Sequence, residues 1–458
     1  MQIMESIDQR EIVENFSYLI EAKDETTLRN IVIDTHPADL ADILRELGDE
    51  ERVYLFGLME TEKAADVMAE LDEVTRKNIV SEVHPERLSE IVDEMNSDDA
   101  VDVLSELPSE VQQEILTKIE PRDRREVEKL LVYGEDTAGG LMALEFIAVY
   151  EDETVDDAIR EIRRRAQEID EVFYVYAIDR GGRLVGVVPI KSLFLRNPRR
   201  IIKDIMHTDV LSVTVDMDQE EVANIVRRYD LSAIPVVDAY DRLVGRITID
   251  DIVDVLQEEA NEDIQRMAGI SDEEILQESS AFRITKNRLP WLIVAFVGQL
   301  IAAFVLSQFE TTLGELTVLT FFIPVIMAMG GNAGIQSSTI VVRSIALNEG
   351  GATGVWGRFW REFRVAILNG LLIGILLGVT ILVWPNIENP PILGGIVGLA
   401  MMFVVINSAL FGALIPFALT KFDIDPAIAT GPFITTSNDV LGLLIYLSLA
   451  TFYLQNLR

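Results

Sequence analysis

Residues 426–452 read PAIATGPFITTSNDVLGLLIYLSLATF, a stretch long and apolar enough to cross a bilayer that carries a carboxylate, Asp439, near its middle. A hydrocarbon core takes about 20 apolar residues per helix. An ionisable side chain at that depth costs ~3 kcal/mol or more unless it faces a bundle interior or a wet pathway. Thr435, Thr436, Ser437 and Asn438 form a polar run beside it, and Gly431-Pro432 lies a turn or two away as a break in the helix. Broken helices with polar side chains at membrane depth line cavities. A structural Asp bonded to a neighbouring helix is the plainer alternative.

Working outward, four more charge-free stretches of membrane length precede this one, at 289–308, 316–342, 365–387 and 389–420, and the last segment runs from about 427 to 457. Five spans place the two termini on opposite faces. Arg283, Lys286 and Arg288 precede the first span, Arg343, Arg358, Arg361 and Arg364 lie between the second and third, and Lys421 between the fourth and fifth. The alternate connections carry no Lys or Arg, so the positive-inside rule puts the N-terminus in the cytoplasm and the C-terminus outside. The second span, PVIMAMGGNAGIQSSTIVVR, brings Asn332, Gln336, Ser337, Ser338 and Thr339 to lipid depth. Gly330 and Gly334 have the spacing that lets helices pack closely, so packing and pore lining both stay open there. Gly370, Gly374 and Gly378 of the third span read as packing. Amides, hydroxyls and one carboxylate suit a hydrated or hard cation, which prefers oxygen ligands.

The 458 residues exceed what one hydrophobic core supports. Of the 76 acids 68 precede Phe282, with 30 of the 39 bases, so this first part carries −38 and the remainder +1. Such a field repels phosphates and attracts cations, which excludes nucleic-acid binding as a main function. With no cysteine, disulfides, thiolate catalysis and zinc–thiolate sites are also excluded. The first residues have neither a basic nor an apolar region of the signal-peptide type, so the acidic part is expected to stay in the cytoplasm. The three histidines, His36, His84 and His207, fall outside the spans, and neither HExxH nor GxxxxGK[ST] occurs, which argues against an enzyme.

Residues 36–120 repeat every twelve: ADIL at 41–44, VYLF at 53–56, ADVM at 65–68, KNIV at 77–80, SEIV at 89–92, VDVL at 101–104 and QEIL at 113–116. Each block has room for one short helix and a turn, and a fixed period implies a stacked superhelix. From about 141 to 254 two units follow, each with a helix before two strands joined by a turn (179–182 and 238–241). Residues 254–277, DVLQEEANEDIQRMAGISDEEILQ, predict an acidic helix leading toward the first span.

The paired αβ units resemble tandem CBS (cystathionine β-synthase) domains, a family in which one cleft can hold adenine nucleotides. The ribose-reading pattern resembles 245–251, with Thr248 and Asp251 in place, whereas the first repeat has Pro189 and Ser192 there. The whole chain, with GGNAGIQSS and the 426–452 stretch, resembles the MgtE family of Mg²⁺ channels. The resemblance implies an all-α acidic domain (1–134), an α/β CBS pair (135–254), a connecting plug helix (255–282) and a five-helix transmembrane domain (283–458). It implies a homodimer in the cell inner (plasma) membrane, with Mg²⁺ as cargo and regulator and ATP as a candidate ligand of the CBS pair. Asp439 is similar to the filter carboxylate, with Asn332, Gln336, Ser337, Thr435, Thr436, Asn438, Gly431 and Pro432 as lining candidates. Asp98, Asp102, Asp218, Glu220, Asp230, Asp251, Asp254, Glu259, Glu262, Asp263 and Asp425 are the acids implied to bind regulatory Mg²⁺. Gly431 departs from the family, some of whose members carry Asn there. An ion-coupled carrier of other divalent cations such as Mn²⁺ or Co²⁺, or a CBS-based membrane sensor without transport, are the alternatives.

Overall fold

The computed structural model describes residues 2–166, 169, 172–268, 281–346, 354–385, 387, 389–422, 424–426 and 431–456. The chain divides into two compact units, Met1–Gln257 and Glu258–Arg458.

The first unit opens with two helices, α1 (Gln2–Glu21) and α2 (Glu25–Asp34), that precede the twelve-residue repeat. The repeat then supplies α3 (Pro37–Glu46), α4 (Asp49–Gly57), α5 (Thr61–Ala69), α6 (Glu73–Glu82), α7 (Pro85–Asp93), α8 (Ser97–Ser105), α9 (Ser109–Lys118) and α10 (Pro121–Leu130). Their starts step by twelve because start signals do: Pro37, Pro85 and Pro121 occupy first positions, where a missing N–H is harmless, and the Asp72 carboxylate accepts from Thr75 N–H at 3.0 Å. The last two residues of every tetrapeptide block are buried, from Ile43 and Leu44 to Ile115 and Leu116. Alternate helices pack on one another, α3 on α5, α5 on α7 and α7 on α9, which is the stacked superhelix the period predicts.

Two three-stranded sheets follow. In the first, β1 (Ala148–Tyr150) runs parallel to β2 (Tyr174–Ile178), which is antiparallel to β3 (Leu184–Pro189). The second repeats this with β4 (Val213–Thr214), β5 (Ala233–Val237) and β6 (Leu243–Thr248). Helices α11 (Val155–Arg165) and α12 (Ile190–Leu195) belong to the first repeat, and α13 (Gln219–Tyr229) and the long α14 (Ile249–Ala268) to the second. Both hairpins close identically: the Asp179 carboxylate accepts from the N–H groups of Gly181 and Arg183, and Asp238 from those of Tyr240 and Arg242. The second sheet shares one core with the superhelix, whereas the first has its own.

The second unit holds α15 (Ala281–Ser307), a short α16 (Glu310–Glu315), α17 (Ile323–Ala346), α18 (Gly354–Leu382), α19 (Pro390–Thr420) and α20 (Pro432–Asn456). Five helical stretches are long and apolar enough to cross a membrane: Ile284–Ser307, Thr317–Ile345, Gly357–Leu382, Pro390–Thr420 and Phe433–Gln455. Two expectations change. Proline fits the first turn of a helix because it has no N–H to offer, so Pro432 opens α20, and Asp439 lies about two turns into that helix, not at its middle. Residues 427–430 lie outside the described residues. The third span also begins earlier than its charge-free window, since Arg358, Arg361 and Arg364 can extend toward water from a helix end. Glu362 thereby becomes a second acid inside a span.

Glycines set the helix spacing. Gly370, Gly374 and Gly378 of α18 face the backbone carbonyls of Met402, Gly398 and Gly394 on α19. A Cβ on Gly412 of α19 would come within 2.2 Å of the Gly334 carbonyl oxygen on α17, a backbone atom that cannot step aside. Gly412→Ala should lower the thermal midpoint of the detergent-solubilised protein by the equivalent of ~1–3 kcal/mol of overpacking. Gly395→Ala, where a Cβ meets nothing within 4 Å, should leave it unchanged. Equal midpoints for the two variants would contradict the packing.

Candidate functional site

Asp439 is 6% exposed, and its Oδ2 accepts a hydrogen bond of 2.6 Å from Gln299 Nε2 of α15. Sequence reasoning named Asp439 and missed Gln299. The signal was available, since Gln299 is the only polar side chain between Leu292 and Leu306. The plainer alternative for Asp439, a bond to a neighbouring helix, therefore describes one of its oxygens.

The lining candidates separate by face. Asn332 and Gln336, one turn apart on α17, are exposed on the single chain, as is Thr339. Ser337 is not: it is buried and donates to the Glu362 Oε2 at 3.0 Å, so its place is a helix contact with α18. Asn438, 1% exposed, also turns inward, because Gly334 leaves room for its amide. Neither Asn438 Oδ1 nor Nδ2 has a hydrogen-bond partner among the described residues. Thr436 packs on Gly298 of α15, and Thr435 is half-buried near Gly331. A period of 3.6 residues sorts polar side chains onto opposite faces, a distinction that listing them by depth cannot make.

At the base of this bundle, Arg266 of α14 pairs with both Glu262 and Asp425. Burial, reinforced by Asp425 and Glu259, pushes the Asp263 carboxyl up to about 6. An arginine thus already neutralises part of the acid set implied for metal, a residue that counting carboxylates overlooks.

In the first unit the superhelix and the second sheet repeat bring a second acid set together. Ser97, first residue of α8, donates to the Glu145 Oε2 at 2.8 Å and accepts from Leu144 N–H at 2.9 Å. This fixes Asp98 and Asp99 in the field of Asp251, whose Oδ2 accepts from the N–H and the Oγ1 of Thr248 at 3.1 and 2.7 Å. Burial, with Asp99, Asp251 and Glu145 beside it, raises the Asp98 carboxyl well above the usual range. Burial, then Asp251 and Asp102, pushes Asp99 to about 7. Asp251 rises to about 6, burial outweighing its Thr248 bonds, and Asp254 is raised by burial and Asp250. The structure therefore gathers Asp98, Asp102, Asp251 and Asp254, and adds Asp99, Glu145 and Asp250.

Asp218 and Asp230 do different work. Asp218 caps the start of α13, accepting from Glu220 N–H at 3.0 Å, and Asp230 closes its end in the left-handed conformation (φ 50°). Eleven residues of helix separate them by about 16 Å, too far to share an ion within one protomer. Among the described residues no three carboxylates or histidines converge as a ready cation site.

These raised acids imply a pH dependence. A carboxyl raised by folding binds protons more tightly in the folded state, so its contribution is full below an ordinary pKa of about 4 and is lost as pH rises through about 6 to 7. The metal-free protein should melt a few degrees higher near pH 5.5 than near pH 8, since ~1 kcal/mol moves the Tm of a unit of this size by roughly 2–4 °C. A melting point that climbs toward pH 8 would count against this arrangement.

The fold and the two acid sets can be compared with known proteins. Residues 323–449 match the family description MgtE, divalent cation transporter, residues 35–136 the MgtE intracellular N domain, and residues 138–196 and 202–258 the CBS domain. The magnesium transporter MgtE of Thermus thermophilus is 37% identical over 95% of this chain and 97% of its own length. That of Bacillus subtilis is 33% identical over 94% of each. A crystal structure of the cytosolic domain of the Mg²⁺ channel MgtE in complex with ATP is similar over 53% of this chain and 99% of its own, at 37% identity and a TM-score of 0.51. The soluble part of a magnesium transporter is similar over 55% and 99%, at 29% identity and a TM-score of 0.50. With similarity at this level over nearly the full length on both sides, the chain belongs to the MgtE family.

Proposed function

We propose that this chain carries Mg²⁺ inward through the cell inner membrane as a homodimeric channel that cytosolic Mg²⁺ closes. The observation that carries the reading is the outward face of α17, where Asn332 and Gln336 stand exposed in the middle of a candidate span. An unsatisfied amide in hydrocarbon costs several kcal/mol. A second copy across a two-fold axis would enclose this stripe in a wet path, with one Asp439 from each copy beside it. Two carboxylates attract a hydrated divalent ion without stripping it. The negative-inside potential supplies the drive, ~2 × 2.3 kcal/mol per 100 mV for a doubly charged ion.

Closure follows from the acids. The cytoplasmic part carries an excess of 38 negative charges per protomer, and Asp98, Asp99 and Asp251 are held near one another against their repulsion. Divalent ions that neutralise such sets act as ligands of the state that brings them close. Asp425, Glu259, Glu262 and Asp263 at the base of the bundle extend the same logic, and Asp218, Glu220 and Asp230 enter it only across the dimer. The ATP of the solved relative supports an adenine nucleotide at the CBS pair here as a subsidiary ligand.

Asp439→Asn keeps size and hydrogen bonding while removing charge. Two unit charges about 4 Å apart attract by about 4 kcal/mol at an effective dielectric of ~20, and a divalent ion doubles this. Mg²⁺ flux into proteoliposomes should fall by about tenfold or more in a protein that still folds and dimerises. Normal flux would remove Asp439 from the path, flux that depends on a proton or Na⁺ gradient would favour a coupled carrier, and no flux in the unmodified protein would favour a sensor.

Neutralising Asp251, Glu259 and Asp263 together as Asn, Gln and Asn should shift the Mg²⁺ needed for closure upward by about fivefold or more, the low end of ordinary coupling energies. An unshifted inhibition curve would take these acids out of the gate.

A further inference from the structure

We propose that Gln299 sets the preference of the pore for Mg²⁺ over Ca²⁺, by occupying one oxygen of Asp439 so that the carboxylate cannot chelate. This deepens the reading of Asp439 as the pore carboxylate and rests on it. Gln299 stands alone as a polar side chain on the apolar part of α15, and its Nε2 lies 2.6 Å from Asp439 Oδ2. The contact is built in by the neighbouring residue. A Cβ on Gly298 would fall 1.6 Å from Thr436 Cγ2, so only glycine lets α15 approach α20 this closely, one helical turn from Asp439. On the other side, Asn438 is wedged into the space over Gly334 of α17. The segment bearing Asp439 is thus held from two helices, and its carboxylate is oriented before any ion arrives.

The chemistry follows from what two ions require of a carboxylate. Ca²⁺ takes six to eight oxygen ligands and accepts both oxygens of one carboxylate, whereas Mg²⁺ holds an octahedral shell and keeps its waters. With Oδ2 committed to an amide donor, Asp439 offers a single oxygen. That suffices to receive a hydrogen bond from a water of hydrated Mg²⁺ and is a poor replacement for the water Ca²⁺ would shed. Gln299 is a positioning residue in this scheme: it acts through Asp439.

The test measures Mg²⁺ and Ca²⁺ influx separately in proteoliposomes carrying the full chain. Gln299→Met keeps length and apolar volume and deletes the donor. The Ca²⁺ to Mg²⁺ flux ratio should rise about fivefold or more while the thermal midpoint and dimer content stay near those of the unmodified protein. In an Asp439→Asn background, Gln299→Met should produce no further change in the ratio, because the group it acts on has lost its charge. An unchanged ratio in the single variant overturns the proposal, as does an equally large shift in the Asp439→Asn background. If Gln299→Met fails to insert, Gln299→Asn, whose amide is one methylene short of the carboxylate, is read in its place, and an unchanged ratio there overturns the proposal equally. Normal Mg²⁺ flux in Asp439→Asn would instead sink the pore reading itself, which separates the two failures.

Discussion

A bilayer interior offers no hydrogen bonds, so every polar group that enters it needs a partner from the protein or from enclosed water. The membrane half of this chain is organised by that constraint. Asp439 is met by Gln299, Glu362 by Ser337, and the glycine contacts of α18 with α19 and of α17 with α19 bring the helices close enough for such short side chains to reach. What the described residues of one chain leave over, the exposed Asn332 and Gln336 and the amide of buried Asn438, which has no partner among them, marks where the constraint has to be met from elsewhere.

The acidic first unit obeys the opposite rule. There water is plentiful and charge is not. Most acids of the superhelix are solvated, and several are tied to arginines, as Asp72 is to Arg45 and Glu106 to Arg76. The exceptions are Asp98, Asp99 and Asp251, which folding buries near one another although Asp99 and Asp251 raise the proton affinity of Asp98, and Asp251 that of Asp99. In the gating proposed above, a cation would relieve this liability, and these acids rather than the more numerous surface ones would be where it acts.

Much of this architecture was legible in the residues. Period twelve predicted the superhelix because one short helix and its turn consume a fixed length of chain, and the buried pairs fall where that period puts them. The paired sheets were legible because their Asp-led hairpin turns repeat. The fifth helix and its Asp439 stood out because charge is conspicuous in apolar sequence. Other features were hidden for physical reasons. A charge-free window underestimates a helix whose arginines can extend away from the apolar layer, so Glu362 falls between the windows at 316–342 and 365–387 although it lies in the third span. Depth along a helix says nothing of azimuth, so Ser337 and Asn438 were grouped with Asn332 and Gln336, which face elsewhere. Partners such as Gln299 for Asp439, Arg266 for Asp425 and Glu145 for Ser97 come from distant parts of the chain, and nothing local announces those meetings.

The fixed step of the superhelix also bears on how such a chain can change length. Each block contributes one helix, one turn and one buried pair, and leans chiefly on the block two places along. Inserting or removing a whole block leaves the phase of all others intact, whereas a single inserted residue rotates everything beyond it by about 100° and turns its apolar stripe outward. Variation in this domain is therefore quantised, and descendants of one ancestral arm are expected to differ by dozens rather than by ones.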